Sequence, residues 1–341
     1  LLRRIGVVIE ELIMPVHGGN LNDAVARYSR PREEWIDLST GINPLSYPVP
    51  PLSISAWHRL PEPHARLRDA AQAYYHAPQL LPVAGTQAAI QALPRLRPRS
   101  HVIVGAPAYA EHAHCWRQAG HAVDEVDYAL LDAFVDDSDV MVVCNPNNPT
   151  GATIEPEVLR DWSQRLASRQ GWLIVDEAFA DTIPSFSVAQ WTQQPGLIVL
   201  RSVGKFFGLA GLRLGFVAAH SALLAQLDAF LGPWTITGPA QEIGCAALSD
   251  RDWQARTRHR LQEDGARLHM LLDRHGIAAR GCALFQWWPE AQAERFHRHM
   301  AEQGIWVRLF EHAAHGIRIG LPGNESEWQR LEDALKTWSD V

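Results

Sequence analysis

A chain of 341 residues is long enough for one large domain plus a smaller one. Its 47% hydrophobic and 20% charged residues are ordinary for a globular enzyme, and a net charge of −7 without any basic run excludes a nucleic-acid partner. No apolar run reaches the length of a membrane span. The four cysteines (Cys115, Cys144, Cys245 and Cys282) lack Cys-x-x-Cys spacing, which predicts a reducing, cytoplasmic setting with Cys144 as a core thiol.

The opening stretch, Leu1 to Val16, is broken by Arg3, Arg4, Glu10 and Glu11, so it is not read as a signal peptide. Residues 1–44 are rich in Pro, Gly and Asn and read as an N-terminal arm with a helix around Leu21 to Tyr28. Within the arm, His17-Gly18-Gly19-Asn20 is either a flexible loop or a nest of backbone N–H groups, with an imidazole, that closes on an anion. From about residue 64, helical patterns alternate with short apolar runs at 102–104, 140–144, 172–175, 197–200 and 215–218. That alternation predicts an α/β fold whose sheet is mostly parallel, in a large domain over 45–235. Between two of the runs, Leu159, Trp162 and Leu166 share a helical face, with Gly171 as the stop. Helices are expected at 221–231, 239–249 and 252–275. Strands at 283–287, 305–309 and 316–319 then mix with helices at 291–303 and 325–338, as a smaller α+β domain over 236–341.

The chemistry-bearing motifs fall at the ends of these elements. Gly85-Thr86-Gln87 opens a helix-forming run, where free backbone N–H groups stabilise a phosphate dianion. Tyr109 follows the run at 102–104 and is read either as core packing or as an aromatic face for stacking. Asn148 lies in Asn145-Pro146-Asn147-Asn148-Pro149-Thr150-Gly151, directly after Val140–Cys144, and Asp176 directly follows Trp172–Val175. Ser202-Val203-Gly204-Lys205 follows Leu197–Leu200, and Arg213 comes eight residues after the lysine. A lysine at the end of a buried strand loses hydration, which favours the neutral, nucleophilic amine. An aspartate at such a strand end can keep a pyridine nitrogen protonated, and an asparagine can hydrogen-bond the ring's phenolic oxygen. Those are the contacts that pyridoxal 5'-phosphate requires. Lys205 and Asp176 are therefore the candidate catalytic residues. Gly85, Thr86, Gln87, Tyr109, Asn148, Ser202 and Arg213 are the remaining candidate cofactor contacts. The histidines other than His17 show no metal-ligand spacing and are read as largely solvated. His112 and His114 flank a helix start, but their side chains diverge, and no metal site is expected.

This ordered set resembles the fold type I pyridoxal-phosphate enzymes of the class I/II aminotransferase superfamily, over nearly the whole chain. The segments His17–Asn20, Ile36–Pro44, Asp176–Phe179, Gly232–Trp234 and Ile317–Gly323 narrow the resemblance to threonine-phosphate decarboxylases and related cobalamin-biosynthesis proteins. Most aminotransferases carry a tyrosine where this chain has Phe179, whereas the decarboxylase group carries phenylalanine. Leu60, Gly204, Thr237, Leu284 and Pro322 depart from residues common among relatives. The resemblance implies a homodimer with active sites at its interface and a phosphorylated amino acid as substrate. It further implies that His17, Gly18, Gly19, Gly41, Ile42, Asn43 and Arg318 contact that substrate, Arg318 as the carboxylate clamp. Arg308 either meets a second anionic group or is a surface arginine. Three activities stay open from sequence: decarboxylation of L-threonine O-3-phosphate, transamination of a phosphorylated amino compound such as histidinol phosphate, and a non-catalytic cofactor-binding regulator.

Overall fold

The computed structural model describes residues 18–62, 65–311 and 314–339, so His17 lies outside the described residues. Its strands in chain order are β1 (Ile36–Asp37), β2 (Leu80–Val83), β3 (His101–Ala106), β4 (Ala122–Asp127), β5 (Val140–Cys144), β6 (Trp172–Asp176) and β7 (Leu197–Ser202). They continue with β8 (Gly215–Ala218), β9 (Arg280–Cys282), β10 (Phe285–Pro289), β11 (Ile305–Trp306), β12 (Arg308–Phe310) and β13 (Gly316–Gly320). The central sheet has the order β2-β8-β7-β6-β5-β3-β4. Strands β3 to β7 run parallel, while β8 is antiparallel to both β7 and β2.

Every residue of β5 and β7 is buried, which is why the sequence shows them as unbroken apolar runs: helices cover both faces of a parallel sheet. The sheet's two edges are different. β2 carries Pro82, tolerated because an edge strand has one unpaired side, and β4 carries Asp124, Glu125 and Asp127 on a largely exposed ribbon. Pro82 interrupts the short apolar run of β2 and β4 has no apolar run, and the sequence pattern does not predict either.

The helices are α1 (Leu21–Tyr28), α2 (Ser55–His58), α3 (Ala65–Tyr75), α4 (Thr86–Ala92), α5 (Glu111–Gln118) and α6 (Pro156–Ala167). They are followed by α7 (Ser221–Leu231), α8 (Gly238–Ser249), α9 (Arg251–Arg274), α10 (Ala293–Glu302) and α11 (Glu325–Ser339). α6 starts on a proline, carries Glu157 in its first turn, and buries Leu159, Trp162 and Leu166 against the sheet. α9 is capped by Asp250, whose carboxylate accepts from the Trp253 N–H at 2.9 Å. A second, antiparallel sheet, β12-β13-β10-β9, lies in the C-terminal part. The arm joins that part, because β1 pairs in parallel with β11 and the Trp35 and Trp306 rings meet edge to face at 5.8 Å.

β5 and β6 end side by side at Cys144 and Asp176, and β7 runs on past Leu200 to Ser202, so the sheet opens its crevice where the motifs fall. Just beneath, a fully buried ion cluster locks the ends of β6 and β7. Arg201 donates to Glu177 and, at 3.0 Å, to Asp181, while its guanidinium lies 4.5 Å from the Tyr75 ring centre. Glu177 also accepts from Ser187 Oγ and the Val188 N–H. Arg201→Met would leave two carboxylates buried without their counter-ion. It is expected to cost about 3–5 kcal/mol of stability, read as a lower denaturant midpoint at unchanged slope.

Candidate active site

The nine residues expected to hold a cofactor line one cavity at this sheet edge: Gly85, Thr86, Gln87, Tyr109, Asn148, Asp176, Ser202, Lys205 and Arg213. Cys144, Ala178, Phe179 and Gly204 also contribute to its wall. At one end, Gly85 enters α4 with φ +74°, and a Cβ there would sit 2.6 Å from Arg213 Nη2. Only glycine lets the guanidinium lie directly over that backbone turn, which builds a cradle of N–H groups and positive charge for a phosphate. Ser202 Oγ faces the same end and accepts from the Gly204 N–H at 3.2 Å.

Asp176 is held rigidly at the other end. Its Oδ1 accepts from the Ala178 N–H at 3.0 Å, and its Oδ2 lies 3.0 Å from His112 Nε2. His112 is buried, so it is not among the histidines expected to be solvated. Burial alone would lower its pKa, but hydrogen bonds with Asp176 and Cys144 outweigh that and push it up to about 10. The imidazolium therefore donates to Asp176 and orients that carboxylate. The sequence signal was faint: His112 comes one turn after Tyr109. His112, Cys144 and Asp176 place potential metal donors within 4.8 Å of one another, but the hydrogen bond already joins two of the three.

Lys205 Nζ lies 5.5 Å from the centre of the Phe179 ring. Burial lowers its amine to about 8, aided by the charges of Arg318 and Arg213 and opposed by Asp176. Roughly a tenth of the amine is thus neutral and nucleophilic at pH 7, far more than for an ordinary lysine.

Beyond the lysine, Arg318 is buried, donating to Asn148 Oδ1 and, at 2.7 Å, to the Ser39 carbonyl. Its Nε has no hydrogen-bond partner among the described residues. Burial and the neighbouring Arg308 lower Arg318 to about 10. Arg308 stands directly opposite it on β12, and both guanidinium groups face the Phe310 ring, at 5.0 and 5.9 Å. Two like charges across a strand pair repel, so an anion between them would be stabilised. The Gly19 N–H donates to Ser39 Oγ at 2.7 Å, and Gly18 packs on the Ser39 carbonyl that Arg318 also engages. Gly41 is wedged between Phe285 and Phe179, followed by half-buried Ile42. Asn43 is occupied elsewhere. Its Nδ2 donates to the Phe206 carbonyl at 2.8 Å, its Oδ1 accepts from Leu45 N and Arg260 Nη2, and its N–H donates to the Lys205 carbonyl. It clamps the arm to the lysine turn. Thr237 is a helix cap, its hydroxyl accepting from the Ala240 N–H at 3.3 Å.

Residues 34–335 match the model of the family described as aminotransferase class I and II, so the chain belongs to that family. Its architecture is that of the fold type I pyridoxal-phosphate enzymes, as expected. Within the family, it is 50% identical over 320 residues to the threonine-phosphate decarboxylase of Pseudomonas aeruginosa, covering 94% of this chain and 96% of that one. It is 43% identical over 327 residues to the threonine-phosphate decarboxylase of a Sinorhizobium species, covering 94% and 97%. The histidinol-phosphate aminotransferase of Sinorhizobium meliloti, solved in complex with pyridoxal-5'-phosphate, superposes with a TM-score of 0.78 at 18% identity over 97% of this chain and 98% of that one, which is a likeness of fold.

Proposed function

We propose that the protein is a lyase that binds pyridoxal 5'-phosphate in this cavity and decarboxylates L-threonine O-3-phosphate to (R)-1-aminopropan-2-ol O-phosphate. The observation that carries this reading is the 50% identity, nearly end to end, to a threonine-phosphate decarboxylase. The geometry supports the cofactor: the Gly85–Arg213 cradle, from which a Cβ is excluded, suits a phosphate, and the anchored Asp176 carboxylate suits a pyridinium nitrogen. When bound, pyridoxal phosphate supplies an electron sink for a bond breaking at the substrate's α-carbon.

The chain's own residues do the rest. The 85–87 turn, Ser202 and Arg213 hold the phosphate, Asp176 holds a proton at the pyridine nitrogen, and Tyr109 and Asn148 fix the ring plane. Lys205 Nζ is the nucleophile toward the cofactor's aldehyde, and its proton is available to the α-carbon once CO₂ has left. Arg318 grips the substrate carboxylate, while Arg308 and the Gly18–Gly19 turn take the remote phosphate. Anchoring both ends lets binding energy of the phosphate set the carboxylate out of the ring plane, the geometry in which the bond to CO₂ breaks. In this reading the arm (1–44) and the C-terminal unit (236–341) close the substrate end of a cofactor-binding unit spanning 45–235.

We place the reaction in cobalamin nucleotide-loop assembly and the protein in the cytoplasm, as a homodimer. Exposed Ile54, Trp57, Leu60 and Trp234 provide apolar surface for the second copy. No helix among the described residues is long and apolar enough to cross a membrane.

The test is product analysis after incubation with L-threonine O-3-phosphate, with and without a 2-oxo acid. CO₂ and an amine in equal amounts are expected. Keto-acid formation that depends on the 2-oxo acid, without CO₂, would overturn decarboxylation in favour of transamination. Arg318→Met is expected to raise KM for the substrate by about ten- to a hundredfold, with the bound cofactor's absorbance unchanged.

A further inference from the structure

Beside the cavity, three side chains from α4, α5 and the turn that leads from β3 into α5 form a directional hydrogen-bond chain. Glu111, the first residue of α5, is buried at 5% exposure. Its Oε2 accepts from Gln87 Nε2 at 2.6 Å, and Gln87 Oε1 accepts from the Tyr109 hydroxyl at 3.2 Å. The Glu111 oxygen accepts, so Gln87 turns its NH₂ toward Glu111. That leaves its carbonyl facing Tyr109, and a carbonyl in turn can only accept. The tyrosine hydroxyl has one direction left to donate in. The short first link has the length of a charge-assisted bond, and such bonds are about twice as strong as neutral ones. Burial raises the Tyr109 phenol above its ordinary pKa, which keeps the donor proton in place. Gln87 also belongs to the turn that begins at Gly85, so the chain ties the phosphate cradle to the stacking face.

We propose that Glu111 and Gln87 are positioning residues that fix the Tyr109 ring over the cofactor plane, committing the tyrosine hydroxyl to the protein and only its aromatic face to the ligand. This rests on the reading of the cavity as the pyridoxal phosphate site.

The experiment uses the cofactor-loaded protein and a double-mutant cycle read by cofactor dissociation and by the visible circular dichroism of the bound ring. In Glu111→Gln the amide at 111 can donate or accept, so the direction of Gln87 is no longer imposed. Glu111→Gln and Tyr109→Phe are each expected to weaken cofactor binding by about tenfold and to reduce the dichroism. Because both break one chain, the double variant should match Tyr109→Phe alone within about twofold. Gln87→Met, in the half-buried middle of the chain, should reproduce Glu111→Gln and serves if that variant fails to fold. Additive effects, or a Glu111→Gln variant with lower thermal stability but unchanged dichroism and affinity, would overturn the proposal. Tyr109→Ala separates the two levels. If it binds cofactor as tightly as the wild type, the stacking reading itself fails; if only Glu111→Gln and Gln87→Met are silent, the chain fails and the site stands.

Discussion

Lys205→Ala is expected to lose the visible absorbance of the bound cofactor and all measurable turnover, since no other side chain lining the cavity offers an amine. The loss should not be restored by Lys205→Arg, whose guanidinium keeps its charge and cannot act as a nucleophile. A pH dependence follows from the lowered pKa. Below about 8 the Lys205 side chain is predominantly an ammonium, and above it a free amine. The rate at which apoprotein captures pyridoxal phosphate should therefore rise with pH through a midpoint near 8. Because burial is the larger cause and Arg318 the next, Arg318→Met should move that midpoint upward. Stopped-flow absorbance across pH 6–10 would read both effects. A cofactor adduct mapped to another lysine, or a rate independent of pH, would remove Lys205 from the role.

Asp176→Asn is expected to keep the cofactor but lower turnover by about a hundred- to a thousandfold, the scale on which removing one preorganised electrostatic contact acts. On the proposed assignment the amide could not hold a proton on the pyridine nitrogen, so a bound ring would lack the positive charge that draws electrons from the breaking bond. Binding survives on the same assignment because Gly85, Ser202 and Arg213 would hold the phosphate, apart from the ring nitrogen. His112 makes the prediction sharper. Its raised pKa depends on Asp176, so in Asp176→Asn the imidazole should titrate well below 10, a shift that NMR can follow. A variant that turns over at the wild-type rate would show that Asp176 does not face the pyridine nitrogen.

The candidate cofactor residues that line one cavity were readable from sequence because several lie at the end of a buried strand or the start of a helix. Val140–Cys144, Trp172–Asp176 and Leu197–Ser202 are covered on both faces, so their apolar runs are continuous and mark where the sheet ends. The helix at 156–167 was legible from its apolar stripe, Leu159, Trp162 and Leu166, with Gly171 as the stop. Edge strands β2 and β4 were not: Pro82 breaks the run of the first, and the second, mostly exposed, needs no apolar run. Neither was β1, two residues long, which exists as a strand only by pairing with β11 some 270 residues later. The tertiary structure alone decided which polar groups meet. His112 reaches Asp176 across 64 residues, Glu111 reaches Gln87 across 24, and Asn43 is engaged by the lysine turn and Arg260. Strand and helix periodicity is a local property written residue by residue, whereas a hydrogen bond between distant side chains depends on how whole elements pack, and no local pattern encodes that.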